Sequence, residues 1–192
     1  IRWIENKMNN YLNKILKTED EDYVIASDTD SIYLNLGPLV DVVYKDREKN
    51  AESIVSFIDK ICEEKFEPFI DKSYKKLASY VNAYDQMMFM KRENIAERGI
   101  WTAKKRYILN VWDSEGVRYE EPNLKMMGIE AVKSSTPAPC RTMIKDGLKL
   151  MMNGTEEDVI HFIDDCRAKF KTLPPEEIAF PRTVSNVKKY YN

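Results

Sequence analysis

Histidine occurs once in this chain, at position 161, and cysteine three times, at 62, 140 and 166. His161 falls inside a helical pattern, which reads as an exposed helix residue rather than a catalyst or ligand. The cysteines are odd in number, far apart and without metal-binding spacing. They provide neither a metal site nor a disulfide framework, and a reducing, cytoplasmic setting is expected. Charge of one sign is not in excess, since 30 Lys and Arg against 32 Asp and Glu give a formal net charge of −2. Any nucleic-acid surface must then be a local patch. No apolar run approaches a membrane span, and no signal peptide, internal repeat or low-complexity stretch is present. With 192 residues, 43% of them hydrophobic, the chain can bury a real core in one domain or one and a half. It begins at Ile1 rather than Met, which suits a piece of a longer product.

What is present is organised around residues 23–36, Tyr-Val-Ile-Ala-Ser-Asp-Thr-Asp-Ser-Ile-Tyr-Leu-Asn-Leu. Residues 23–27 and 32–36 are rich in β-branched and aromatic side chains, which predicts two strands. Asp28-Thr29-Asp30-Ser31 between them is a tight acidic turn. Two carboxylates at the tip of a rigid hairpin can capture a divalent cation. On pattern alone, the commoner role of such aspartates is turn formation.

Residues 1–17 predict an amphipathic helix, with Ile4, Met8, Tyr11, Leu12, Ile15 and Leu16 on the face that packs under the hairpin. An acidic loop, 19–22, ends it. Gly37-Pro38 breaks the second strand, and 37–50 reads as a connection. A long helical stretch over 51–81 buries Ile54, Phe57, Ile58 and Ile61, and Pro68 must interrupt or kink it. From about 84 to 133 the pattern turns to strands, starting from the apolar run Met87-Met88-Phe89-Met90. Alternation at Trp101, Ala103, Tyr107, Leu109 and Val111, a turn at 113–116 and a last strand over 124–132 predict an antiparallel meander. Thr136 then caps a helix with Pro137 at its first position. Met143, Ile144, Gly147, Leu148 and Met151 keep helical spacing up to Asn153-Gly154. Thr155 caps a second helix with acids in its first turn and a buried face of Val159, Ile160, Phe162, Ile163, Cys166 and Phe170. Pro174-Pro175 stops it.

Two further stretches carry chemistry. Lys104, Lys105 and Arg106, followed by Tyr107, read as a basic strand with Lys104 and Arg106 on one face and Lys105 on the other, suited to phosphates. A solvated edge strand guarded by lysines explains them equally well. Lys133, Ser134, Ser135 and Thr136 lie at a strand-to-helix junction and serve as capping or linker residues on the simplest reading.

Ala-Ser-Asp-Thr-Asp-Ser-Ile-Tyr closely resembles the third conserved polymerase motif of family B DNA polymerases. Tyr-Ile-Leu-Asn-Val-Trp-Asp over 107–113 and Lys-Ser-Ser-Thr-Pro over 133–137 give the resemblance a T-even-type bacteriophage flavour. Lys-Lys-Arg-Tyr resembles that family's signature behind the active site. The passage 124–137 resembles its crossing from palm to thumb, and 180–190 resembles a thumb segment. The resemblance implies an α+β chain, a partial palm over 1–132 (an antiparallel sheet with helices on one face) followed by a partial helical thumb over 133–192. It implies that Asp30 binds the catalytic Mg²⁺ ions, two in the assembled enzyme, with Asp28 accessory and Glu93 an acidic palm residue close to the metal site. Lys104, Lys105, Arg106, Tyr107, Lys133, Ser134, Ser135 and Thr136 would contact primer–template DNA, and a deoxynucleoside triphosphate would be the second substrate.

The family's first palm motif, its fingers helix and its exonuclease domain do not occur here. They are expected upstream of Ile1, which makes this a C-terminal fragment, either a natural split subunit or a truncated piece, inactive without them. If phage-encoded, it would act in the cytoplasm of a bacterial host, with no membrane partner. A non-catalytic DNA-binding or docking subunit of a split polymerase stays open as the alternative. A metal-dependent nuclease or glycosyltransferase built on Asp-x-Asp leaves Lys-Lys-Arg-Tyr unexplained.

Overall fold

The helical spacing of Ile4, Met8 and Leu12 is realised in α1 (Arg2–Leu16), where all three side chains are fully buried. The computed structural model describes residues 1–190. After α1 come β1 (Val24–Asp28), β2 (Ser31–Leu34), α2 (Gly37–Val43), α3 (Ala51–Ile61) and α4 (Glu67–Tyr80). There follow β3 (Asn94–Ala103), β4 (Arg106–Ser114), β5 (Val117–Met127), α5 (Ala138–Asn153), α6 (Glu156–Phe170) and α7 (Pro175–Ile178). The chain is α+β, as expected. Its strands form two sheets, the hairpin β1–β2 and a three-stranded meander in the order β3–β4–β5. Contacts divide the chain into two compact units, one of residues 1–95 and 112–121, the other of 96–111 and 122 onward. The expected palm–thumb boundary at 132/133 falls inside the second unit, and residues 191 and 192 of the expected thumb lie outside the described residues.

In the first unit, α1 packs on α4 and on the start of the hairpin. Ile4, Met8 and Leu12 share a core with Tyr23, Val24, Leu39, Phe66, Ile70 and Tyr74. Each such side chain contributes about 1.5–3 kcal/mol by leaving water. The Tyr11 ring stacks on Phe69 with centroids 4.2 Å apart, and Trp3 donates its indole N–H to the Ser73 carbonyl at 3.1 Å.

Three expectations are corrected here. The connection 37–50 contains the helix α2: Pro38 sits in its first turn, where no N–H is needed and the fixed φ is helical, and Leu39 and Val40 are buried. The stretch 51–81 is helical through Tyr80 and interrupted near Pro68, as expected, but its buried stripe differs. A π-helical turn, Cys62–Phe66, separates α3 from α4, and Glu67 donates its N–H to the Cys62 carbonyl five residues back. That extra residue makes room for the Pro68 ring in the first turn of α4. The buried residue of α3 is Val55, while Ile54, Phe57, Ile58 and Ile61 are half-buried. Finally, Met87-Met88-Phe89 is exposed and irregular, and the strand begins only at Asn94. Side chains of Asp85 and Gln86 take up the backbone N–H groups of Gln86 and Met88, at 2.7 and 2.9 Å, which replaces a ladder with a local turn.

In the second unit, Ile108, Ile129, Ala131 and Met152 form the core. β5 is one strand through Met127 and tolerates Pro122 because it is an edge of the meander. The strand expected through 132 ends early: Gly128 takes φ +66 and Glu130–Val132 is a 3₁₀ turn. The N-cap of α5 is Pro137, not Thr136, with Pro139 in the first turn. The buried methionine of α5 is Met152, while Met151, which keeps the helical spacing, is exposed. Thr155 caps α6 in a reciprocal box with Asp158, as its acids suggest. Its predicted buried face is a miss, because no residue of α6 is buried and Ile160 and Ile163 are exposed. Phe162 closes on Gly147 of α5, where an added Cβ would meet its ring at 3.0 Å.

Candidate functional site

The acidic hairpin forms in the predicted place. β1 and β2 are antiparallel, with Ser27 opposite Ile32 and Asp28 opposite Ser31, so the loop is only Thr29 and Asp30. A bulge between Val24 and Ala26 inserts Ile25 and adds twist. Thr29 takes φ +49, a left-handed conformation that a β-branched residue adopts at a cost of about 1–3 kcal/mol. Its hydroxyl donates to Asp28 Oδ1 at 3.1 Å, and the Ser31 hydroxyl donates to the Asp28 carbonyl at 3.1 Å. Asp30 is exposed at the tip and Asp28 is half-buried beside it. A pair of accessible carboxylates is a donor set that suits a magnesium ion keeping several of its waters. Among the described residues, no three His, Cys, Asp or Glu side chains gather into a metal-binding cluster, so Glu93 does not join the two aspartates in one.

The root of the hairpin is held by residues the sequence did not single out. Asn9 of α1 accepts the backbone N–H groups of both Tyr23 and Val24 at 2.9 Å and donates to Asp22 at 2.7 Å. Asn13, one turn on, accepts from the Glu21 N–H at 3.1 Å and from the Thr18 hydroxyl at 2.8 Å, and donates to the Glu21 carbonyl at 2.8 Å. The available signal was a pair of asparagines at i, i+4 beside the apolar stripe of a helix whose interior they disfavour.

Glu93 is exposed, and its carbonyl accepts the Glu115 N–H at 2.6 Å. Its neighbour Arg92 is nearly buried and pairs with Asp59 of α3 and with Asp113, itself 1% exposed. Burial works against the Arg92 charge, but hydrogen bonds to Asp59 and Asp113 more than offset it and raise its pKa. Arg118 adds Nε to Asp113 at 3.1 Å and a second nitrogen to the Ser56 hydroxyl at 3.0 Å. α3 and the β4–β5 hairpin are thus tied together around one buried carboxylate.

The basic stretch departs from its predicted form. Lys104 and Lys105 are not on a strand. They are the two-residue loop joining β3 to β4, with Lys105 at φ +59, and only Arg106 begins a strand. The loop is exposed, whereas Tyr107 is buried, its ring 6.5 Å from that of Trp101. Lys133–Thr136 forms a second exposed turn, closed by the Thr136 N–H on the Lys133 carbonyl at 3.1 Å, with Ser134 and Ser135 at its corner. The structure brings the two turns together. Glu130 Oε2 accepts from Arg106 at 2.6 Å while Oε1 accepts from Lys133 at 3.0 Å. The bond from Lys133, a backbone hydrogen bond and the Arg106 guanidinium pull the Glu130 carboxyl down to about 2. Gly128 permits the approach, since a Cβ there would lie 2.3 Å from the Lys105 carbonyl oxygen.

No family model matches the chain. Two curated phage proteins are similar to it along 99% of its length. They are a DNA-directed DNA polymerase of Escherichia phage RB69, 39% identical over 198 aligned residues, and a DNA-directed DNA polymerase of Enterobacteria phage T4, 36% identical over 198. From end to end, the chain is similar to one segment of these phage polymerases. The T-even-type resemblance read from Tyr-Ile-Leu-Asn-Val-Trp-Asp (107–113) and Lys-Ser-Ser-Thr-Pro (133–137) is borne out. The chain spans 22% of the length of either relative. Among the described residues, no helix is long and apolar enough to cross a membrane.

Proposed function

We propose that this chain is the partial palm and thumb of a family B DNA-directed DNA polymerase, with residues 1–132 as palm and 133–192 as thumb. The observation that carries the reading is end-to-end similarity to phage polymerases in a chain that sets Asp28 and Asp30 at the tip of a two-residue hairpin loop. Asp30, with Asp28 beside it, would hold magnesium. When bound there, magnesium supplies Lewis-acid activation of a primer 3′-hydroxyl and neutralises a deoxynucleoside triphosphate. The chain's own part is positional. Asn9 and Asn13 fix the root of the hairpin, the constrained Thr29 aims its tip, and the turns at Lys104–Arg106 and Lys133–Thr136 hold duplex phosphates. Two carboxylates on one side of a reaction centre cannot align a terminus, a triphosphate and a leaving group, so the upstream palm, fingers and exonuclease portions are the implied partners.

Primer extension tests this. The 192-residue chain alone is expected to incorporate no nucleotide. Supplied with the upstream portion of a related polymerase, it should support synthesis that Asp30→Ala reduces by roughly a thousandfold or more, with Asp28→Ala less severe. Template-directed synthesis by the chain alone, or indifference to Asp30→Ala after complementation, would sink the reading. A second reading keeps only the DNA surface, as a non-catalytic subunit of a split polymerase. It is favoured by the Arg106–Glu130–Lys133 arrangement, which this chain assembles without help. Indifference to Asp30→Ala is the outcome that would select it.

A further inference from the structure

We propose that Glu130 is a built-in counter-ion of the DNA surface, occupying the phosphate-binding donors of Arg106 and Lys133 and yielding them when a duplex phosphate docks. The inference rests on the polymerase reading above. Arg106 and Lys133 belong to two stretches separated in sequence, and both direct nitrogens at one carboxylate, at 2.6 and 3.0 Å. A carboxylate that accepts from a guanidinium and an ammonium at once has the same donor geometry as a bridging phosphate oxygen pair. All three side chains are close to half exposed, so a polyanion can reach the donors without opening the core.

Glu130 is placed by the backbone on either side of it. It opens the 3₁₀ turn that follows Gly128, and Gly128 is pressed against the Lys105 carbonyl where no Cβ fits. The carboxyl, pulled down to about 2, remains charged at any working pH, so the competition is permanent. Half-exposed ion pairs of this kind are individually weak, which lets a phosphate displace them. The consequence is a surface that holds duplex loosely, with two of its cations partly neutralised in advance, as an enzyme moving along DNA requires.

The test is fluorescence anisotropy of a labelled primer–template duplex against wild type, Glu130→Gln, Arg106→Leu/Lys133→Met, and the triple variant, over a series of salt concentrations. Glu130→Gln is nearly isosteric and should bind roughly five- to tenfold more tightly at low salt. Its logarithmic salt slope should be steeper by about 0.9 for each additional phosphate engaged. In the Arg106→Leu/Lys133→Met background the same change should do nothing. Weaker binding by Glu130→Gln would make the residue a simple brace, and an equal gain with and without the two cations would make it long-range charge; either overturns the proposal. A second measurement is independent of folding in the variants and of DNA. Wild-type chain is titrated with inorganic pyrophosphate while the Glu130 carboxylate carbon and the Arg106 guanidinium are followed by NMR. Both resonances should move together, and movement of Arg106 with a static Glu130 carboxylate overturns the proposal. Absence of duplex binding by wild type at low salt would instead count against the polymerase reading, and the pyrophosphate titration then decides the counter-ion role alone.

Discussion

Replacing Asp113 by alanine should be among the most damaging changes the first unit can suffer. Its carboxylate is 1% exposed and receives Arg92, Arg118 Nε at 3.1 Å and the Gly116 N–H at 3.0 Å. Removing one partner of a buried ion pair costs about 3–5 kcal/mol, because the other charge is left without compensation. Arg92 retains Asp59 and Arg118 is 36% exposed, so the lower end applies, about 3 kcal/mol. Losing the bond to Gly116 adds about 1 kcal/mol, because that bond closes the turn at Glu115-Gly116 where both residues have positive φ. Asp113→Asn keeps the turn bond and loses the charge, so about 2 kcal/mol is expected.

Urea unfolding followed by circular dichroism measures this. With a slope near 1–1.5 kcal/mol/M for about a hundred residues, Asp113→Ala should lower the midpoint by roughly 2.7–4 M. The informative companion is Arg92→Met with Asp113→Leu. A buried pair replaced by apolar groups of similar volume is often neutral, so the double variant should be more stable than Asp113→Ala alone. A loss below about 1 kcal/mol for Asp113→Ala, or a double variant worse than the single, would refute the assignment of this carboxylate as the tie between α3 and the β4–β5 hairpin.

Two further outcomes follow from backbone geometry. Gly128→Ala should cost about 2–3 kcal/mol in urea unfolding, since the new Cβ would meet the Lys105 carbonyl at 2.3 Å with φ at +66; a cost under 1 kcal/mol would mean that the turn moves aside freely. Thr29→Asn should raise the unfolding midpoint by an amount worth about 1 kcal/mol, because Asn tolerates φ +49 better than a β-branched residue; an unchanged or lowered midpoint would show that Thr29 is not strained.

What could be read from the sequence was what depends on near neighbours. The hairpin over 23–36 formed because its strand residues and its Asp-Thr-Asp-Ser turn agree with each other. α1 and the cap of α6 formed where their periodicity and capping residues lie. The failures came from effects that periodicity does not carry. Pro68 could be seen to break a helix, but not that a π turn would absorb it. α6 has an apolar stripe of helical spacing, and spacing cannot reveal that packing against α5 leaves Ile160 and Ile163 exposed. The Asp59–Arg92–Asp113–Arg118 network joins residues up to 59 positions apart and has no local signature at all.

The basic stretch shows how a correct residue list can carry a wrong structure. Ala-Lys-Lys-Arg contains no Gly, Asn or Asp, and Lys rarely takes positive φ, so nothing local marks a turn. The turn arises because the flanking strands β3 and β4 pair as a two-residue hairpin and force Lys105 to φ +59. On a flat strand, Lys104 and Arg106 would share one face and Lys105 would oppose them. At a hairpin tip Lys104 and Lys105 project into solvent, while Arg106 is drawn to Glu130 and through it to Lys133. Lys104 and the paired Arg106 should therefore differ in kind. Lys104→Ala would remove charge alone, whereas Arg106→Ala also releases Glu130 onto Lys133.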